Sequence, residues 1–290
     1  MIKLSFKNQT IFENATGNKL LEFQSSLLKS DINPFILDDT IQSEHLNRLG
    51  LQVFRWLAYD QQMESLRLKS PLFNSDDHKQ LLNNGYIKIN NVFEKNKIKK
   101  IQKEILLLPE TLLTKKVCKN LPITVDISLN KKVQNIFRLC QGDQSYIENN
   151  LYLRKISHLI PGEYSENARQ YNFHVDKFYP NFKVWFYPFE IKRSSGPLAF
   201  FRGSHKNTVE KMQWVYNNSV NNKNWSRLHN NISDYKKVAE SLQLKDETVC
   251  EAQNNTMYIV DTRMFHRRTP ADIGKLRLSF RAILKRNNLF

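Results

Sequence analysis

The sequence predicts a mainly β protein with α decorations: a double-stranded β-helix, or jelly-roll, over residues 76–290, preceded by a helical extension over residues 1–75. Three observations predict it. Short apolar runs of strand length, bounded by Gly, Pro and Asn, recur between residues 151 and 290. Two residues with metal-ligand side chains, His174 and Asp176, alternate along one such region, and a third, His266, follows 92 positions later beside another run. Before residue 75 the apolar spacing is helical instead. A jelly-roll packs two sheets face to face and lets side chains at their mouth converge.

Along the N-terminal part, Leu46, Leu49, Val53 and Trp56 share one apolar helical face. That face is expected to pack on the barrel or on a partner subunit, the second of which would give a homodimer through these helices. Next, Asp76-Asp77 favour a helix start, Gly85 ends it, and Tyr86–Ile89 alternates as a strand. Lys95-Asn96-Lys97-Ile98-Lys99-Lys100 opens a helix in which Ile98, Ile101, Ile105 and Leu108 recur at helical spacing, so its charges read as a solvated face.

The strands are then expected over Leu151–Ile160 (broken by Pro161-Gly162), at His174 and its turn, over Val184–Tyr187, over Leu198–Phe201, over Thr256–Asp261 running to His266, and over Leu276–Leu284. Between them Asn217–Trp225 reads as an Asn-rich loop and Ile232–Leu242 as an inserted helix.

Composition sets the outer limits. With 290 residues, 40% hydrophobic content, 18 Phe, 11 Tyr and 4 Trp, the chain can build a real core. No run of 18 apolar residues exists and Met1–Lys7 lacks an apolar segment, so a cytoplasmic protein without a membrane partner is expected. Cys118, Cys140 and Cys250 have no metal spacing and read as buried thiols. The 44 Lys and Arg against 28 Asp and Glu give a net charge of +16. That balance fits an anionic substrate or a nucleic-acid partner, and equally a Lys- and Asn-rich composition.

His174-Val175-Asp176 with His266 supplies two imidazoles and a carboxylate, the facial ligand set of non-haem Fe(II), which leaves positions open for chemistry. Eleven residues past His266 stands Arg277, and on the same strand Arg277, Ser279 and Arg281 alternate with Leu278, Phe280 and Ala282. Two readings stay open for this polar face: an ordinary solvated face, or one turned into the barrel mouth, where Arg277 clamps a carboxylate bidentately and Ser279 adds a hydrogen bond. Trp185 is either core or cofactor wall. His205 is expected to tie backbone, and His45, His78, His158 and His229 to be bland or at the surface.

These motifs, with Gly85-Tyr86-Ile87-Lys88-Ile89 upstream, Ser195-Gly196-Pro197-Leu198, Gly203-Ser204-His205-Lys206 and Met257–Asp261 leading to Phe265-His266, come in an order that resembles the phytanoyl-CoA dioxygenase family of Fe(II)- and 2-oxoglutarate-dependent oxygenases. The resemblance covers roughly residues 76–285. It implies a cupin-like double-stranded β-helix and Fe(II) held by His174, Asp176 and His266. It further implies 2-oxoglutarate with its far carboxylate on Arg277 and Trp185 lining its pocket, and O2 as the oxidant. Halogenating relatives lack the carboxylate, so Asp176 favours hydroxylation. Val175 and Arg268 depart from the family pattern, which commonly has a polar and a small residue there. The implied activity is oxidation of an unactivated C–H of a small anionic metabolite, its charge met by Arg281 or Lys177. The alternative is an oxygenase acting on a nucleic acid, protein or carrier-bound substrate through a basic surface.

Overall fold

Period-two alternation decides how this chain is layered. A computed structural model describes residues 3–35, 43–107, 130–142, 152–157, 171–221 and 235–284. Its strands are β1 (Tyr86–Ile89), β2 (Tyr152–Ser157), β3 (Phe182–Tyr187), β4 (Leu198–Phe201), β5 (Glu247–Val249), β6 (Thr256–Asp261), β7 (His266–Arg268) and β8 (Leu276–Leu284). They form two antiparallel sheets, one ordered β1-β6-β3-β8-β2 and a smaller one ordered β5-β4-β7.

On the large sheet, Trp185, Tyr187, Tyr258 and Val260 point toward Leu198 and Phe200 of the small sheet and pack with Cys250, Ala252 and Met264 between the two. The alternate residues Val184, Phe186, Met257, Ile259, Phe280 and Ala282 point the other way. That outer face is apolar and must be covered. Helices α6 (Lys95–Leu106) and α7 (Lys131–Gln141) cover it with Ile98, Ile101, Ile105, Val133, Ile136 and Phe137. Ser75 caps α5 (Asp76–Asn84), whose first turn holds Asp76 and Asp77, and Gly85 ends it. Gly85 has φ +79°, and a Cβ there would meet His205 Nδ1 at 2.5 Å and Met264 Sδ at 2.6 Å, so only glycine lets this turn press against the turn that carries His205.

The N-terminal helices α1 (Phe6–Thr16), α2 (Leu20–Leu28), α3 (Glu44–Arg48) and α4 (Leu51–Arg67) bury their apolar faces within the chain. They join α8 (Val209–Asn221) around Phe173, Val175, Phe201 and Phe265. Leu46, Leu49, Val53 and Trp56 are all buried, but on two helices rather than one. Gly50 breaks them at φ +105°, where a Cβ would sit 2.7 Å from the Phe12 ring.

Three expectations change. The described residues are richer in helix than in strand, so the chain is not mainly β; the cause is that both the outer sheet face and the back of the small sheet are covered by helices. The Asn-rich segment from Asn217 is the end of α8 as far as Asn221, not loop. The inserted helix is α9 (Tyr235–Ser241). Cys140 and Cys250 are buried thiols. Leu108, Cys118, His158, Pro161-Gly162, residues 222–225, His229 and residues 232–234 lie outside the described residues. His78, expected at the surface, is buried: its Nδ1 accepts from the Asn74 amide and its Nε2 meets Glu64 at 3.1 Å.

An ion cluster, buried at Arg263 and Asp261 and part-exposed at Asp60, ties α4 to the turn after β6. Arg263 donates through Nε and Nη2 to Asp261 and through Nη1 to Asp60, at 2.6 to 3.1 Å. Lys211 of α8, also buried, donates to the carbonyls of Ser204 and Arg263. Burial alone would raise the Asp261 carboxyl, but the Arg263 guanidinium outweighs it and holds Asp261 below the usual carboxylate value of 3.8; Asp60 is lowered in the same way. Groups depressed on folding contribute stability that is complete above the unfolded value and lost as the pH falls below it. Denaturant midpoints of the wild type should therefore fall between about pH 5 and the strongly acidic range. Arg263→Met should cost about 3–5 kcal/mol at neutral pH, because it leaves the Asp261 carboxylate buried without its counter-charge. It should also lose the acid-dependent slope; a variant with the wild-type slope would show that the cluster does not set it.

Candidate metal centre

His174 and His266 face each other across an antiparallel backbone bridge, each amide donating to the other's carbonyl at 3.0 Å. Two residues on, the Asp176 amide donates to the Thr262 carbonyl at 3.0 Å. Alternation then separates roles. Phe173, Val175 and Phe265 point back into the helical cluster and are buried there, while His174, Asp176 and His266 point the opposite way. Val175, which departs from the family pattern, is thus a packing residue in this chain.

The three side chains converge, with one ligand atom from each lying within 4.8 Å of the others. His174 Nε2 is 3.8 Å from Asp176 Oδ1, and His266 Nε2 is 3.5 Å from Asp176 Oδ2. Both rings hold Nδ1 at 2.9 Å from the carbonyl two residues earlier, Asn172 for His174 and Met264 for His266. A carbonyl only accepts, so Nδ1 carries a proton in each ring and Nε2 is the atom directed inward. Burial, reinforced by the neighbouring His266, brings the His174 pKa down to about 4, which keeps that ring neutral near pH 7. Burial works to raise the Asp176 carboxyl, but His266, Lys183 and His174 around it hold it far below the carboxylate range. His174 is thus a neutral imidazole beside an ionised carboxylate, the forms in which these two groups bind a divalent metal.

Lys183 of β3 meets Asp176 Oδ2 at 2.5 Å. It is not among the residues that the sequence singled out; alternation from Trp185 is the signal that leads to it.

The polar face of β8 is turned inward rather than solvated. Arg277 is 1% exposed and Ser279 fully buried. Arg277 Nη1 donates to the Gly196 carbonyl, which joins β8 to the Ser195–Leu198 segment. Trp185 is core by burial and also carries a polar atom into the interior: among the described residues neither its Nε1 nor Ser279 Oγ has a hydrogen-bond partner. Such groups suit a ligand that accepts hydrogen bonds. Trp185 and Arg281 are directly opposite across β3 and β8, with the guanidinium 5.6 Å from the indole centroid. Tyr187 lies in the same interior; burial pushes its phenol up to about 12 against the pull of Arg277. Arg268 is buried, on the same side of β7 as His266, near Tyr171. Lys177 is half-buried just beyond Asp176. His205 ties backbone as expected, with Nε2 3.1 Å from the Leu82 carbonyl.

No protein-family model and no curated protein matches this sequence. Among solved structures, the chain is similar to EctD from S. alaskensis with 2-oxoglutarate and 5-hydroxyectoine, at a TM-score of 0.51 and 13% identity over 74% of this chain and 76% of that one. It is similar also to the apoform of EctD from S. alaskensis, at a TM-score of 0.50 and 14% identity over 74% of this chain and 77% of that one. At such identity the likeness is one of fold. Among the described residues no helix is long and apolar enough to cross a membrane. The antiparallel sheets and packed helices of this chain therefore share the fold of the EctD structures.

Proposed function

We propose that this protein is a non-haem Fe(II)- and 2-oxoglutarate-dependent oxygenase of the phytanoyl-CoA dioxygenase type, hydroxylating an unactivated C–H of a small anionic molecule. In this reading the two sheets are the halves of a double-stranded β-helix, residues 76–290 are the oxygenase domain, and residues 1–75 are an extension packed on it. One observation carries the reading: His174, Asp176 and His266 converge within 4.8 Å with both Nδ1 atoms committed to backbone carbonyls. The donor set fits iron. Two imidazoles and one carboxylate make the facial triad that leaves coordination positions open, and the Nδ1–carbonyl bonds are the supports that orient such ligands.

The inner walls fit the co-substrate. Arg277 offers a buried guanidinium for the carboxylate remote from the metal, and the Ser279 hydroxyl and Trp185 indole add donors beside it. Fe(II), 2-oxoglutarate and O2 together supply the oxidising equivalent for C–H hydroxylation. The chain's own residues do the rest. His174, Asp176 and His266 bind the metal on one face, Arg277 sets the direction of the co-substrate, and Trp185, Tyr187 and Tyr258 exclude water from the space between the sheets.

Anaerobic titration with Fe(II) should show one tight site in the wild type. Its affinity should fall by more than about 100-fold in His174→Ala, Asp176→Ala and His266→Ala. Thermal melting should change little, because the three side chains make little core packing. Turnover in any one variant at the wild-type level would remove that residue from the metal set.

Arg277→Ala should raise the 2-oxoglutarate requirement by two orders of magnitude or more, since losing a charge-assisted pair costs roughly 2–5 kcal/mol. Arg277→Lys should recover only part of it, because an ammonium lacks the guanidinium fork. Unchanged 2-oxoglutarate affinity in the alanine variant would move the clamp elsewhere, with Arg268 the next residue to test. The reaction class itself is tested by succinate release from 2-oxoglutarate in a screen of small carboxylates, amino acids, phosphonates and acyl thioesters.

A further inference from the structure

We propose that Lys183 is the docking group for a carboxylate or phosphate on the substrate, and that the C–H to be oxidised lies within a few bonds of that charged group. This deepens the oxygenase reading above and rests on it.

Three observations carry the assignment. Lys183 stands on the inward row of β3 with Trp185 and Tyr187, and its Nζ is 2.5 Å from Asp176 Oδ2. Its side chain is 28% exposed, whereas Arg277 on the same wall is 1% exposed, so Lys183 marks the rim through which solvent and substrate reach the triad. Among the described residues, the inward positions of β3, β7 and β8 carry Lys183, Arg268, Arg277 and Arg281 and no carboxylate.

Charge decides what Lys183 meets in the working enzyme. In the structure its ammonium neutralises Asp176. Once a divalent metal binds that carboxylate, the metal and the ammonium become adjacent like charges, and a partly buried ammonium in that position calls for a second anion. The two carboxylates of 2-oxoglutarate already have partners, the metal and Arg277. The remaining anion is the one arriving from the rim, which is the substrate. Lysine suits this exchange because its long stem lets the ammonium leave Asp176 and turn outward. A net charge of +16 adds long-range attraction for such a ligand. Geometry also limits substrate length. The lysine stem is anchored on β3 beside Asp176, so an anion held by its ammonium docks near the reacting position wherever the ammonium turns. A charge at the far end of a long chain would not reach both.

The test is binding, not turnover. The Fe(II) and 2-oxoglutarate complex, prepared without oxygen, is titrated with monocarboxylates of three to six carbons, with the primary amide of each, and with inorganic phosphate, at constant ionic strength. Perturbation of its visible absorption is the readout. In the wild type, at least one acid or phosphate should shift the spectrum saturably and the amides should not. Lys183→Met should weaken that anion by at least about tenfold. Lys183→Arg should restore most of the affinity, and Fe(II) and 2-oxoglutarate binding should stay within threefold in both variants. Equal responses to acid and amide, or undiminished anion affinity in Lys183→Met, would overturn the proposal. So would a parallel loss of Fe(II) or 2-oxoglutarate affinity in that variant, which would make Lys183 a support for the metal or co-substrate. A wild-type protein that takes up neither Fe(II) nor 2-oxoglutarate would instead overturn the oxygenase reading itself.

Discussion

The pair of backbone hydrogen bonds between His174 and His266 is the constraint on which the site depends. It joins segments 92 residues apart and sets the two imidazoles beside each other, with ring centroids 4.4 Å apart and planes tilted by 49°. Closing so long a loop costs chain entropy, and two hydrogen bonds could not hold it alone. The neighbouring contacts share the load. Asp176 and Asn181 both bind Thr262, the Phe265 amide donates to Ser204 Oγ, and Arg263 locks the turn through Asp261 and Asp60. The backbone that carries His174, Asp176 and His266 is thus over-determined by contacts of its own.

Alternation lets one short segment serve two masters. Phe173 and Val175 anchor the strand in the helical cluster, while His174 and Asp176 between them face the interior. The same division recurs at Phe265 and His266, and again along β8, where Phe280 and Ala282 pack under α6 and α7 while Arg277 and Ser279 face inward. The packing residues and the convergent His-Asp-His set are therefore carried by opposite faces of the same backbone. The N-terminal helices take part in this arrangement: with α8 they form the apolar backing against which the ligand strands are pressed.

Charge is distributed with the same economy. The ion cluster of Arg263, Asp261 and Asp60 lies on the packing side, where it is matched internally. Among the described residues, the inward positions of β3, β7 and β8 instead hold the basic side chains Lys183, Arg268, Arg277 and Arg281, with Asp176 meeting Lys183.

The sequence by itself determined the candidate His-Asp-His set, the strand spacing and the division of β8 into a polar and an apolar face, while the structure decided that the polar face turns inward. The first three are local properties: alternate residues of an extended chain share a face whatever surrounds them, so His174 with Asp176 and Arg277 with Ser279 were legible at once. Strands β1, β4 and β6 were also readable, because their apolar runs end at Gly, Asn or Asp turns. Only the tertiary structure decided what depends on partners distant in sequence. It brought Lys183 onto Asp176, buried His78 against Glu64, split the expected helical face at Gly50 where the Phe12 ring intrudes, and turned a chain read as mainly β into one richer in helix than strand. None of these follows from spacing. Each is set by which surface another element happens to cover, and that is fixed only when the apolar faces of distant segments find one another.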